Sequence, residues 1–382
     1  MIYTGLSGNE LYCLDKAGFA PGDLLVGNSV FSIGFFGSLK SGLRGVVGGE
    51  IHEFTEIISE GRRLSLERLV KELGDRSGVG ATGVTSELVI HSGNIEFLSI
   101  ASALHQEGTP TLEAFTSSAD GQELYCQMDA GYVPRKFVFG NVAYSIGIGR
   151  GLLGGLKTLG RGEIKEYTEI FTTTRNLALQ RVIDDARTVG ANCVVGIETT
   201  ILPFGGVGVQ EMLMIGTASH NPNLPAMTVG GEAYIATSDM TCEEMWNVAS
   251  MGYIPLRLML GTSVYSLGFV GGISAVFQSF VKGEISTLTN LIYEAREESL
   301  GKIRSEAEAL GADDVLGIKT YVYDLGGGLI EFLAIGTAVK KVGKSAKPKS
   351  DQLIPQAIIR DKDTFYNAAE VSFGVDLNTG AR

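Results

Sequence analysis

The chain has 382 residues, 44% of them hydrophobic and only 19% charged, with 52 glycines and a net charge of −12; its pI is near 5.0. An acidic chain has no basic face with which to displace phosphate counterions, so no nucleic-acid partner is expected. Four cysteines without a repeated pair argue against a disulfide framework, and Met1 to Lys16 shows no basic segment followed by an apolar one, so a cytoplasmic protein without a signal peptide is expected.

One unit is written three times. Gly27-Asn28-Ser29-Val30-Phe31-Ser32-Ile33-Gly34 returns as Gly140-Asn141-Val142-Ala143-Tyr144-Ser145-Ile146-Gly147 and again as Gly261-Thr262-Ser263-Val264-Tyr265-Ser266-Leu267-Gly268, at offsets of 113 and 121 residues. Solenoid periods run about 20–50 residues, so each copy is long enough to be a domain with its own core. The expected boundaries are 1–112, 113–224 and 225–342, followed by a linker and tail over 343–382 that is either disordered or docked on a neighbour.

In chain order, each copy is predicted to open with a short strand: Glu10–Cys13, Glu123–Cys126 and Glu232–Ile235. A turn with proline at its end follows at Gly18–Pro21, Gly131–Pro134 and Gly252–Pro255. In the third copy these two features stand further apart, and Thr241–Trp246 is predicted to be an inserted helical turn or two capped by Thr241. A second strand, Leu24–Ile33 and its equivalents, is rich in β-formers. A short glycine-rich helix such as Gly151–Leu156 comes next. At Gly49-Glu50, Gly162-Glu163 and Gly283-Glu284 a longer helix opens. Its stripe in copy two is Ile164, Tyr167, Phe171, Ala178, Val182, Ala186 and Val189, a helical period.

Glycine ends that helix at Gly190 and Gly311, and a hairpin closes each unit: Gly83–Ile90 with Ile95–Leu104, Val194–Leu202 with Val209–Ala218, and Val315–Tyr323 with Leu329–Val339. The fold class is α+β, each unit an antiparallel sheet with one long helix and one short glycine-rich helix. Val209–Ile215 has almost no polar side, so both of its faces should be covered. One helix covers one face; a neighbouring copy or subunit is expected on the other, which argues for assembly.

Val264–Val281 carries no charge, the length of a membrane span. Its counterparts hold Lys40 and Arg44, or Arg150 and Lys157. A buried helix is therefore expected, with no transmembrane span. Attachment to a membrane surface through Val30–Val47 and Val264–Val281 is the alternative.

The candidate site residues repeat with the unit. A residue 11 positions after Ile164 lies about 20° from it around a helix, so Arg175 falls within the apolar stripe, as do Arg62 and Arg296. A buried guanidinium needs acceptors. One acid recurs inside the last strand (Glu96, Glu211, Glu331) and another at the helix start (Glu50, Glu163, Glu284). Each copy is expected to hold a structural arginine–carboxylate pair, internal or across a subunit contact, with an anion site as the alternative.

Metal ligands are weaker. Cys13 matches Cys126, with Ala236 assigned to the third copy; His105 matches His220, with Lys340 in the third. Cys193 and Cys242 stand alone, and neither Cys-x-x-Cys nor His-x-x-His occurs. Gly34–Ser41 approaches a phosphate loop but carries Leu39 where the second glycine belongs. No Ser/His/Asp or Cys/His set repeats among only four histidines. The expectation is a non-enzyme without a cofactor, a heavy metal being the exception to consider.

These residues resemble the YbjQ family. The resemblance rests on the Gly-x-x-Val/Ala-Phe/Tyr element, the Gly-Phe-Phe-Gly-like turn, the Gly-Glu helix start and Ala295-Arg296. It also rests on Leu310–Ile318, Ile335–Val339 and their copy-two versions Gly190–Ile197 and Ile215–Ala218. It covers 8–105, 121–220 and 230–341; copy one departs at Ser77-Gly78 and at Ala101-Ser102. The resemblance implies three tandem dodecin-like α+β domains that assemble into rings, generally five-fold, and it brings a heavy-metal-binding label. The family's helix usually begins Tyr-Glu, whereas this chain reads Phe54-Thr55, Tyr167-Thr168 and Leu288-Thr289, which removes one candidate carboxylate. Five chains stacking three rings, or rings mixing copies from different chains, would satisfy such symmetry. The expected function is a homo-oligomeric ring- or shell-forming scaffold. The alternatives are a heavy-metal or small-ligand binder with sites at subunit contacts, and a membrane-surface scaffold.

Overall fold

The computed structural model describes residues 1–32, 49–91, 94–108, 113–145, 162–204, 209–226, 228–229, 232–266, 286–326 and 329–359. The expected glycine-rich short helices, most of Val264–Val281 and Glu284 fall outside them. Ser7 caps a helix, α1 (Gly8–Ala17), in a reciprocal box: its hydroxyl accepts from the Glu10 N–H while the Glu10 carboxylate accepts from the Ser7 N–H at 2.7 Å. The first unit continues through β1 (Ala20–Ser32), β2 (Gly49–Glu50), α2 (His52–Asp75), β3 (Gly80–Thr82), β4 (Glu87–His91) and β5 (Asn94–His105).

The second unit runs β6 (Phe115–Thr116), α3 (Gly121–Asp129), β7 (Val133–Ser145), β8 (Gly162–Glu163), α4 (Lys165–Thr188), β9 (Cys193–Phe204) and β10 (Val209–His220). A small ribbon, β11 (Thr228–Val229) with β12 (Glu232–Ala233), precedes the third. That unit comprises β13 (Ala236–Thr237), α5 (Cys242–Ser250), β14 (Tyr253–Ser266), α6 (Ser286–Leu310), β15 (Asp314–Gly326) and β16 (Leu329–Lys341). No described helix is long and apolar enough to cross a membrane.

Two of the predicted opening strands, Glu10–Cys13 and Glu123–Cys126, lie in helices, whereas Glu232–Ala233 is a strand as expected. Asp120 with Glu123 and Thr241 with Glu244 repeat the box of Ser7 and Glu10, and these residues keep the 113 and 121 offsets of the whole unit. The third copy therefore carries no insertion: α5 is the counterpart of α1 and α3, and Glu232 belongs to the ribbon before it. The same offsets place Asn247, not Ala236, opposite Cys13 and Cys126. Pro21, Pro134 and Pro255 lie at the start of their strands beside bulges in the pairing, where a missing N–H costs no ladder bond.

The long helices form as their apolar period predicts. They cross their sheets at the first glycine of the repeated octapeptide. A Cβ at Gly27, Gly140 or Gly261 would stand 2.0, 2.1 or 2.1 Å from the carbonyl oxygen of Ser65, Ala178 or Ser299. Only glycine lets the helix backbone come this close.

The sheets do not stop at the unit boundaries. In the second, the order β13-β9-β10-β7-β2 takes its outer strands from the third and first units. The first sheet, β1-β5-β3-β6 with β4 also on β5, receives β6 from the second unit but nothing beyond β1. The third, β15-β16-β14-β8, receives β8 from the second unit but nothing beyond β15. Among the described residues two sheet edges are thus open, one at each end of the series.

Packing follows the same overlap. Ile51, Phe54 and Ile58 from the start of the first unit's helix region share a core with Ala143 and Val209 of the second. Tyr167, Phe171 and Val182 share one with Leu258, Val264 and Leu333 of the third. The first two long helices, α2 and α4, are therefore each held between their own sheet and the next. The two-faced strand β10 is covered on both faces, but the first unit of the same chain supplies the second cover. Of the two covers expected, a neighbouring copy or a subunit, the structure shows the neighbouring copy, so that strand alone is no evidence for another subunit.

Beyond β16, Lys349 N–H donates to the Asp129 carbonyl at 2.9 Å and the Ser350 hydroxyl to its carboxylate at 2.8 Å. A last short helix, α7 (Pro355–Ile358), ends where the Asn9 and Gln122 amides donate to the Ile359 carbonyl at 2.8 and 2.9 Å. This segment lies across α1 and α3.

The helix ends differ in one residue. After α4 and α6 the chain turns through left-handed Gly190 and Gly311, but after α2 the same place holds Ser77 at φ 55°. A side chain there costs about 1 kcal/mol, partly offset by the greater freedom glycine gives the unfolded chain. Ser77→Gly is expected to stabilise the protein by about 0.5–1 kcal/mol, measured as a higher denaturation midpoint in urea.

Candidate functional site

The two unit boundaries are built from the same parts. At the first, α2 presents Arg62, whose Nε and Nη2 donate to the two carboxylate oxygens of Glu211 on β10 at 3.1 and 2.8 Å. Its Nη1 donates to the Ser86 carbonyl at 2.8 Å and to the Ser86 hydroxyl at 3.0 Å. At the second, Arg175 on α4 donates from Nη2 to both oxygens of Glu331 on β16 at 2.8 and 2.9 Å. All four side chains are within 1% of complete burial. Aromatic rings close over the guanidinium groups, Phe97 over Arg62 and Tyr144 with Phe171 over Arg175, which favours the cation.

So each paired arginine reaches the acid of the following unit, not its own. Among the described residues no acid of another unit meets the third arginine. Arg296 is exposed on α6, against the expectation that all three are buried. The first acid, Glu96 on β5, meets no arginine of another unit among the described residues: it accepts from the Asn28 amide at 3.0 Å and lies 2.7 Å from His91 Nε2.

The acids at the helix starts make a second tier. Glu50 accepts from Arg181 Nη2 at 2.7 Å and Glu163 from Lys302 Nζ at 3.1 Å, each again from the next unit. Arg181 and Lys302 also donate to the carbonyls of Asn141 and Thr262. The Thr that replaces the family's glutamate has a role that residue-type reasoning missed. The Thr55 hydroxyl accepts from the Ala143 N–H and the Thr168 hydroxyl from the Val264 N–H, both at 3.0 Å. Thr116 and Thr237, on the short strands that run back to the preceding unit's sheet, accept from Phe137 and Leu258 of their own units at 2.8 and 2.9 Å.

With this geometry in view, comparison with known proteins finds a family model, YbjQ, described as "Putative heavy-metal-binding", at residues 22–92, 133–221 and 252–342. The three matches cover more than half of the chain. The chain belongs to the YbjQ family. It is 30% identical over 226 residues to a Mycobacterium tuberculosis protein named "Encapsulin nanocompartment protein Rv1762c", covering 56% of this chain and 84% of that one. It is 48% identical over 81 residues to a UPF0145 protein of Vibrio campbellii, 21% of this chain and 77% of the relative. A UPF0145 protein of Methanoregula boonei matches at 42% over 82 residues, 22% and 68%. The YbjQ unit thus occurs here in three tandem copies.

The family description directs attention to metal donors. The described residues hold no group of three His, Cys, Asp or Glu side chains arranged for a metal ion. Cys13 and Cys126 sit inside the core shared by α1, α3 and α5, with Cys242 and Cys193. His105 and His220 end β5 and β10 beside Ala20 and Val133. Burial, with the charges of Asp120, Glu10 and Glu243 adding to it, pushes the Cys13 thiol up to about 12. Burial likewise lifts Cys126, Cys193 and Cys242 well above the ordinary thiol range. A metal takes the thiolate, and these four resist forming it.

Around the second junction, burial pulls the Arg175 guanidinium toward neutrality, but the charge of Glu331 outweighs it and holds the cation above its ordinary range. Burial lifts the Glu331 carboxyl above the usual carboxylate range, and Arg175 only partly offsets this. The ion pair persists, but it is a costly one to leave half-made.

Arg175→Met, leaving Glu331 buried alone, is expected to destabilise the protein by about 3–5 kcal/mol, whereas Arg175→Met with Glu331→Leu regains most of the loss; chemical denaturation of the two variants checks this. None of the four thiols is expected to react with Ellman's reagent at pH 8 until the protein is unfolded. Because the folded thiols titrate above the unfolded value of 9.0, their contribution to stability is fully present below that pH and declines above it, so the melting temperature should fall as pH rises past about 9.

Proposed function

We propose that this protein is a non-enzymatic, cytoplasmic scaffold that assembles with copies of itself into a ring or shell. The observation that carries the reading is where the buried ionic chemistry lies. Arg62–Glu211 and Arg175–Glu331 are fully desolvated, and both join one unit to the next. Neither faces a cleft in which a substrate could meet it. A charge pair that binds a neighbouring module is a device for repetition.

The relative named as an encapsulin nanocompartment protein supports the shell reading by similarity over more than half of this chain. Five-fold or multiple-of-five symmetry is part of the proposal, drawn from the ring assembly that the family implies. Heavy-metal or small-ligand binding is the weaker reading, since the described donors are buried thiols and dispersed histidines.

Light scattering coupled to size exclusion at micromolar concentration should return a mass several times 40.6 kDa, and negative-stain images should show closed particles. A stable species of 40.6 kDa across that concentration range would refute the scaffold reading.

A further inference from the structure

We propose that the last unit of one chain receives the first unit of a second copy, through Arg296 of the one and Glu96 of the other. The inference rests on the self-assembly reading above and adds the direction and the residues of the contact. Among the described residues Arg296 makes no ion pair, although its counterparts Arg62 and Arg175 are each fully buried against the next unit's acid. Glu96 occupies on β5 the place that Glu211 and Glu331 hold on β10 and β16, opposite Val30, Ala143 and Val264 respectively. Among the described residues the third unit therefore holds an unmatched cation and the first unit the acid that fits it.

The backbone leaves matching halves at the same two ends. Phe115–Thr116 adds in parallel to Gly80–Ala81, and Ala236–Thr237 to Cys193–Val194. The third such edge is Asp314–Val315 on β15, which is open; the segment 113 residues before Phe115–Thr116 is Ile2–Tyr3, and it is exposed at 46% and 74%. The hydroxyl of Thr4 already meets Ser102, just as Ser117 meets Thr217 and Ser238 meets Thr337. The lead-in to the first unit is thus folded in the way that, at the two internal boundaries, accompanies pairing with a preceding unit.

Apolar surface agrees. Val84 and Ile197 are covered where their N–H groups donate to the carbonyls of Ser117 and Ser238 at 2.9 and 2.8 Å, yet the third counterpart, Ile318, is 47% exposed. On the other end, Val30 is 58% exposed, whereas Ala143 and Val264 are wholly covered by the preceding unit. A second copy joined head to tail would cover Ile318 with its Thr4 segment and would have its own Val30 covered by α6. The contact is heterologous, using two different surfaces, so repetition gives a ring where the rotation closes and a filament where it does not.

The test is a charge exchange read by mass in solution. Arg296→Glu and Glu96→Arg each place like charges together and are expected to reduce the assembled protein to a 40.6 kDa species with unchanged circular dichroism. The double variant R296E/E96R restores the pair and should reassemble, as should an equal mixture of the two single variants. Ile318→Asp, at a residue exposed in the isolated chain, should also dissociate the assembly without affecting the fold. Single variants and Ile318→Asp that assemble like the wild type would overturn this contact while leaving self-assembly standing. A wild-type protein that is itself a monomer would overturn both.

Discussion

A guanidinium removed from water must find an acid, and in this chain the acid always belongs to the unit that comes next. That constraint organises the rest. Arg62 and Arg175 sit inside the apolar stripe of their helices, so neither helix can be completed by its own sheet. Each helix is an interlayer, with its own strands on one side and the following unit's strands on the other. The desolvation cost of two ions is offset by contact with both carboxylate oxygens, by aromatic rings over the cation and, at the first junction, by the Ser86 carbonyl and hydroxyl as additional acceptors. A misaligned boundary would forfeit all of these together, which is why the pairs specify how units join.

The strand exchange works alongside the ions. Gly49–Glu50 pairs with β7 of the second unit while Phe115–Thr116 runs back to β3 of the first. The same reciprocal crossing recurs between the second and third units. Threonine hydroxyls at both crossings accept the N–H groups that a strand edge would leave open. The boundary is therefore secured by backbone pairing, buried charge and apolar packing at once.

Much of the unit was legible in the amino-acid sequence because its signals are local. The stripe from Ile164 to Ala186 has the period of a helix, and the glycine-joined β-formers around Gly205-Gly206 read as a hairpin. The opening helices were misread as strands because Leu11-Tyr12-Cys13 is short and rich in β-formers, and because Glu232 was taken as their third counterpart. Ser7 and Glu10, Asp120 and Glu123, Thr241 and Glu244 carried the correcting signal: a cap and its carboxylate three residues apart, at the offsets of the octapeptide. The direction of the ion pairs was not legible. A stripe shows that Arg62 is buried, but its acid lies 149 residues away and that of Arg175 lies 156 away, and identical units offer several equivalent acids. Nor could periodicity distinguish Arg296 from its siblings, because its exposure depends on whether another unit lies against its helix, not on its neighbours in sequence.

The reciprocal exchange of edge strands also bears on how the chain gains and loses its structure. Removing any one unit strips a strand and a helix cover from its neighbour, so no unit is an autonomous folding block even though each is long enough to be one. Denaturation should consequently spread across all three as a single concerted event, unlike the stepwise melting of domains strung on a flexible tether. During synthesis, the first unit must wait for Phe115–Thr116 to emerge before its sheet is closed on that side.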